Sequence, residues 1–148
     1  MTFTIDDSVD IDAPAEVVWQ VLTDFSAYGD WNPFVADCRS TLEPGAPIDM
    51  RVRLVGPRPM AQREWIRSIT PGAGFSYAMK PVPLGALHSL RSHTLTPLDD
   101  GRCRYTSHFE LGGWLRPVVT ATLGGALRRG FGGMTAAVRQ RAEQLRKD

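Results

Sequence analysis

At 148 residues, with 43% apolar and 22% charged positions, the chain has the size and balance of one globular domain, taken here as residues 1–148, with a core of its own. Seventeen Lys and Arg against sixteen Asp and Glu leave a net charge of +1, which lacks the basic footprint of a nucleic-acid binder. Cys38 and Cys103 belong to no spaced metal or redox motif and Met1 to Asp7 has no signal-peptide pattern, so a cytoplasmic protein with free thiols is expected.

In chain order, Phe3, Ile5, Val9 and Ile11 alternate through a first strand, with a break in phase at Asp7-Ser8. Asp12-Ala-Pro-Ala-Glu16 then opens a helix. Asp12 can cap it, Pro14 suits its first turn, and Glu16 complements the positive end of its dipole. Val17, Val18, Val21 and Leu22, with Trp19, give that helix an apolar face as far as Asp24. A second short helix or turn from Phe25 is stopped by Gly29, and Pro33 forbids helix through Asn32.

From there to Leu111 the pattern is strand and turn. Ile48, Met50, Val52 and Leu54 alternate with charged residues, as on an antiparallel strand with one wet face. Gly56-Pro-Arg-Pro59 ends that strand. The phase of 60–69 is irregular and leaves the facing of Trp65 open. After a turn at Pro71-Gly72-Ala-Gly74, residues Phe75, Tyr77 and Met79 share a face. Asp99-Asp100-Gly101 marks a hairpin between a strand ending at Leu98 and one carrying Cys103, Tyr105, Ser107, Phe109 and Leu111 on one face.

Past Gly112-Gly113 the period changes. Leu115, Val119, Leu123, Leu127, Phe131, Met134, Val138, Ala142 and Leu145 step by threes and fours, the stripe of one long amphipathic helix. Its longest uncharged stretch, between Arg116 and Arg128, is too short for a membrane span. The cluster of Arg128-Arg129 and Arg139 to Lys147 reads as a solvated helix face rather than a membrane-surface one, because the helix's apolar face is used by the core. Gly124, Gly125 and Gly130 are poor helix formers, and either leave space for a cavity or permit close helix–sheet packing.

Strand, two short helices, antiparallel strands and a long terminal helix is the helix-grip order, an α+β fold with a curved sheet wrapped around the last helix. Ile11-Asp-Ala-Pro-Ala-Glu-Val-Val-Trp-Gln-Val-Leu-Thr-Asp-Phe25, with Tyr28 and Trp31-Asn-Pro-Phe34, resembles the opening of the START-like (SRPBCC) superfamily, the polyketide cyclase/dehydrase-like and pollen-allergen-like proteins. Leu95-Thr-Pro-Leu-Asp-Asp-Gly101 is similar to that superfamily's last hairpin. The tail from Gly113-Trp-Leu-Arg-Pro117 through Gly130 to Glu143 resembles the terminal helix of small bacterial members, with Thr135 standing where the pattern has Asn. The segment 57–83 matches least. The resemblance implies an internal pocket for a small hydrophobic molecule such as a lipid, sterol or polyketide.

No phosphate loop, dinucleotide fingerprint, His-Glu-x-x-His or Cys-x-x-Cys is present, so neither metal nor cofactor is expected and no catalytic residue is assigned. Strand parity puts Ser89, Arg91 and His93 on the face of Leu95, and Tyr105 and Ser107 on that of Phe109, bringing polar groups together on hairpin partners. They either anchor a polar group of a ligand or satisfy one another, with Arg91 reaching solvent. The expected pocket is lined by these five with Trp31, Phe34, Phe75, Tyr77, Met79 and Phe109, and by Val119, Leu123, Leu127 and Phe131 of the helix. Binding, carriage or sensing of a hydrophobic ligand is the leading function. A cyclase or dehydratase using Tyr105, His93 or Arg91, and a protein-interaction module with a protein partner, are the alternatives.

Overall fold

The computed structural model describes residues 2–147. Seven antiparallel strands form one sheet: β1 (Phe3–Ile11), β2 (Val35–Ser40), β3 (Pro47–Val52), β4 (Met60–Thr70), β5 (Gly74–Ala78), β6 (His88–Pro97) and β7 (Cys103–Gly112). Strands β2 to β7 follow one another as neighbours, and β1 joins at the far side of β7, giving the order β1-β7-β6-β5-β4-β3-β2. Helices α1 (Ala15–Thr23) and α2 (Tyr28–Trp31) lie between β1 and β2, and α3 (Arg116–Lys147) closes the chain. This is the helix-grip arrangement. Among the described residues no helix is long and apolar enough to cross a membrane.

The first strand keeps its phase. It pairs without a shift from Phe3 opposite Leu111 to Ile11 opposite Cys103, so Asp7 shares the inner face with Phe3, Ile5, Val9 and Ile11. The apparent break at Asp7-Ser8 is therefore an acid on the inner face, directly across from Ser107.

Two helix-end expectations need correction. Asp12 does not cap α1, whose N-cap position is Pro14 with no side-chain bond. Asp12 is instead engaged by the last turns of α3. Its N–H donates to the Glu143 carboxylate at 2.9 Å, while Arg146 donates to its carbonyl at 2.9 Å and to its carboxylate. Gly29 does not stop the second helix either, because it lies inside α2. The stop comes at Asn32, whose Oδ1 accepts the N–H groups of Phe34 and Val35 at 2.9 and 2.8 Å and turns the chain into β2.

Helix α3 packs on β1, β7, α1 and α2. Its second half supplies Phe131, Met134, Val138 and Ala142 to a core shared with Val18, Val21 and Leu22 of α1 and Ile5 and Ile11 of β1. Thr135 is buried there with its hydroxyl donating to the Phe131 carbonyl of its own helix at 2.9 Å. Both cysteines are free and buried, and burial pushes the Cys38 thiol up to about 12.

Candidate functional site

Strands β3 and β4 curve away from α3, and the space between them is a cavity of about 340 Å³, within the size range of small-molecule sites. Val52, Leu54 and Met60 from the β3–β4 hairpin, Met79 and Leu87 from either side of the β5–β6 connection, and Val119, Leu123 and Leu127 of α3 form its outer wall. Phe34, Phe109, Phe131 and Met134 form its apolar floor, where the Phe131 ring lies 5.1 Å from Phe34 and 4.9 Å from Phe109 between centroids. The polar lining is short: Gln62, Glu64, Tyr77, Ser89 and Arg91.

Arg91 is the unusual member. It comes from the inner face of β6, is 3% exposed, and forms no ion pair with any described acid. One guanidinium nitrogen donates to Ser107 Oγ of the neighbouring strand, another lies 3.7 Å from Met134 Sδ, and the carbon stands 4.2 Å over the Phe131 ring. A hydroxyl, a thioether and a ring face stabilise a buried guanidinium less than a carboxylate does, and isolated charge is costly to desolvate. The cavity therefore presents a cation with unused capacity for an anion.

Glu64 faces the same cavity from β4, beside Gln62, whose Nε2 lies 3.5 Å from Glu64 Oε2. Burial raises its pKa above the usual carboxylate value, with the Gln62 contact and the charge of Arg91 acting the other way.

Behind this wall is a buried polar chain. His93, 1% exposed, lies between two tyrosines, with Nε2 3.3 Å from Tyr77 Oη and Nδ1 2.7 Å from Tyr105 Oη. A neutral imidazole has one N–H and one lone pair, so one phenol accepts and the other donates. Burial, and then the charge of Arg91, hold His93 well below its ordinary pKa, so it is neutral. Burial raises both tyrosines.

Of the residues expected to line the pocket, Phe34, Tyr77, Met79, Ser89, Arg91, Phe109, Val119, Leu123, Leu127 and Phe131 border the cavity. Trp31, Phe75, His93, Tyr105 and Ser107 do not. Trp31 packs edge-on against Tyr28 at 5.1 Å. Phe75 faces inward but is enclosed by Trp19, Phe25, Tyr77 and His93. His93, Tyr105 and Ser107 form the layer behind the lining. The cavity reading of the glycines also gives way: Gly124 abuts Phe3, Gly125 is exposed, and a methyl group at Gly130 would collide with the Phe34 ring. Close packing is what Gly130 permits.

Sequence reasoning missed the whole β3–β4 wall, including Glu64. The signal was present in the pairing: Met50 is opposite Gln62 and Ile48 opposite Glu64, so both polar residues share the inner face of the regular strand β3.

A curved sheet gripping a long helix, with an apolar cavity between them, defines a helix-grip domain of the START/SRPBCC superfamily. Residues 2–143 match the family described as polyketide cyclase / dehydrase and lipid transport, and the chain belongs to that family. No curated protein matches the sequence. Among solved structures, a START superfamily protein from Mycobacterium smegmatis is 18% identical with a TM-score of 0.71, over 96% of this chain and 98% of that one. The aromatase/cyclase ZhuI from Streptomyces sp. R1128 is 17% identical with a TM-score of 0.65, over 97% and 95%. Norcoclaurine synthase from Thalictrum flavum, in complex with a transition-state analogue, is 16% identical with a TM-score of 0.70, over 98% and 96%. At such identities the likeness is one of fold.

Proposed function

We propose that this protein binds a small, mostly apolar molecule in the cavity and holds an acidic or carbonyl oxygen of it on Arg91, so as to carry or sense it. The observation that carries this reading is the buried guanidinium that forms no ion pair with any described acid, set in a mostly apolar wall. The family description, which includes lipid transport, supports the ligand class. The test compares dodecanoic acid with dodecanol by calorimetry on wild type and Arg91→Met. The acid should lose about tenfold or more in affinity, the worth of one charge-assisted hydrogen bond, and the alcohol little. Equal affinities of both proteins for both ligands would sink the anchor.

A second reading, a cyclase or dehydratase, is favoured by Glu64. A carboxyl with a raised pKa facing the same cavity as a guanidinium is suited to general acid–base work beside a developing oxyanion. Turnover of a poly-β-ketone thioester that is lost in Glu64→Gln, with ligand affinity kept, would establish that reading. Unchanged turnover, or none in the wild type, would remove it.

A further inference from the structure

Five large apolar side chains are prominently exposed among the described residues: Val55, Met60, Leu84, Trp114 and Val118, between 57 and 91%. Single exposed apolar residues are ordinary, but a cluster marks a surface that meets something apolar. These five cluster at the cavity's outer wall. Met60 lines it, Val55 follows the lining residue Leu54, and Val118 precedes the lining residue Val119. Leu84 lies between Met79 and Leu87, which also line the wall, and its carbonyl accepts the Trp114 indole N–H at 3.1 Å. Leu84 is held at a φ of 64°, a conformation that suits glycine or asparagine far better than leucine, at the 91%-exposed tip of its turn.

Charge is segregated in the same place. The three segments 53–60, 79–87 and 113–123 carry Arg53, Arg58, Lys80 and Arg116 and not one aspartate or glutamate, in a chain whose totals nearly balance. Arg129 faces Arg53 across a shallow cleft beside them. Apolar tips ringed by cations around a hydrophobic opening match an anionic bilayer: the tips enter between acyl chains and the cations meet the head groups. A flat acidic protein surface would satisfy the cations and leave the apolar tips in water.

We propose that the rim formed by these three segments docks on an anionic membrane surface, so that an apolar molecule passes between bilayer and cavity without crossing water. This rests on the reading that the cavity carries an apolar molecule, and not on which oxygen Arg91 holds.

The test is cosedimentation of the full chain with vesicles of phosphatidylcholine alone and with about 30% phosphatidylserine. Wild type should bind the anionic vesicles, and salt should release it. Arg58→Glu/Lys80→Glu should weaken binding by at least about 25-fold, roughly fivefold for each cation removed. Leu84→Gly/Val118→Gln should weaken it by about tenfold with every charge kept. None of the four residues lines the cavity, so both double variants should bind dodecanoic acid in solution as wild type does. Arg139→Glu, near the far end of α3, should change nothing. Indifference of wild type to phosphatidylserine, or wild-type vesicle binding by the rim variants, would overturn the proposal. So would binding of polyglutamate as tight as that of the vesicles and unaffected by Leu84→Gly/Val118→Gln, the result expected of an acidic protein partner.

Discussion

Val119 and Val138 belong to the same run of apolar residues on one helix, and their surroundings differ completely. Val138 is fully enclosed by the core that α3 shares with α1 and β1, while Val119 is half-exposed and borders the cavity. The second half of α3 is gripped, and the first half stands off strands β3 and β4. An amphipathic stripe thus specifies which side of a helix faces the sheet, but not whether the sheet is close enough to touch. Contact is decided by the facing side chains: α1 brings valines and leucine to the second half, whereas β4 offers the first half Met60, Gln62 and Glu64.

The largest effect should come from the same substitution made at both ends of that helix. Val138→Asp places an unpaired carboxylate in a sealed core and should remove the cooperative urea transition altogether, a loss of at least about 4 kcal/mol. Val119→Asp should keep a cooperative transition within about 1 kcal/mol of wild type and instead weaken the binding of a hydrophobic dye. If the two variants melt alike, the two halves of α3 are equally packed and the contrast fails.

A smaller effect separates two glycines five residues apart on the helix. Gly130→Ala pushes a methyl group into the Phe34 ring and should cost about 1–3 kcal/mol. Gly125→Ala meets only the flexible end of Arg129, at 3.4 Å, and should stabilise by about 0.5–1 kcal/mol through helix propensity. Denaturant midpoints read both, and a stabilising Gly130→Ala would mean that the approach of α3 to Phe34 is loose.

The smallest effect extends the contrast to the two faces of the sheet through two histidines. His93 on the inner face binds no proton when folded, but the unfolded chain takes one below its ordinary pKa of 6.5. Its contribution to stability is therefore present above about pH 6.5 and lost as pH falls. His108 on the outer face is held above 6.5 by its bonds to Asp6 and then Glu110. Its contribution has the opposite sign, being full below pH 6.5 and lost as pH rises through the raised value. It should be the weaker, since solvent screens the exposed cluster. Urea midpoints from pH 5 to 8 should lose their acid-side fall in His93→Gln and steepen it in His108→Gln; the same slope in all three proteins would disprove both assignments.

The fold was legible because most inner faces are regular. Phe75 and Tyr77 in β5, Leu95 in β6 and the odd-numbered residues of β7 alternate strictly, and α3 repeats at helical spacing. The part of the site on those strands followed from parity, which placed Ser89, Arg91 and His93 inward. What parity could not give is position along the strand. His93, Tyr105 and Ser107 point inward as Arg91 does, yet β6 and β7 border the cavity only at the end that carries Ser89, Arg91, Phe109 and Leu111. Strand β4 was illegible for a different reason. A strand facing a cavity can be polar on its inner side, so Met60, Gln62, Glu64 and Ile66 present no apolar rhythm. A shift in pairing between Ile66 and Ser68 then changes the parity, leaving Trp65 on the outer face opposite Ala78. Asp7 misled in the same way, as an acid on the inner face of an otherwise apolar strand.

The pairing of β1 with β7 has a consequence for the order in which the molecule is made. Phe3 and Leu111 are cross-strand partners, so β1 and α1 leave the ribosome with no permanent partner until more than a hundred residues have followed them. The meander from β2 to β7 can zip up as it emerges, each strand onto the one before, but its concave face stays bare until the 32 residues of α3 arrive. The clasp of Arg146 and Glu143 on Asp12 comes last of all, joining the final turns of helix to the first bend of the chain. Translation of this protein is thus a long wait with a greasy surface open, and the segments that most need a chaperone's shelter are the inner faces of β1 and β7 and the apolar face of α1, which α3 covers.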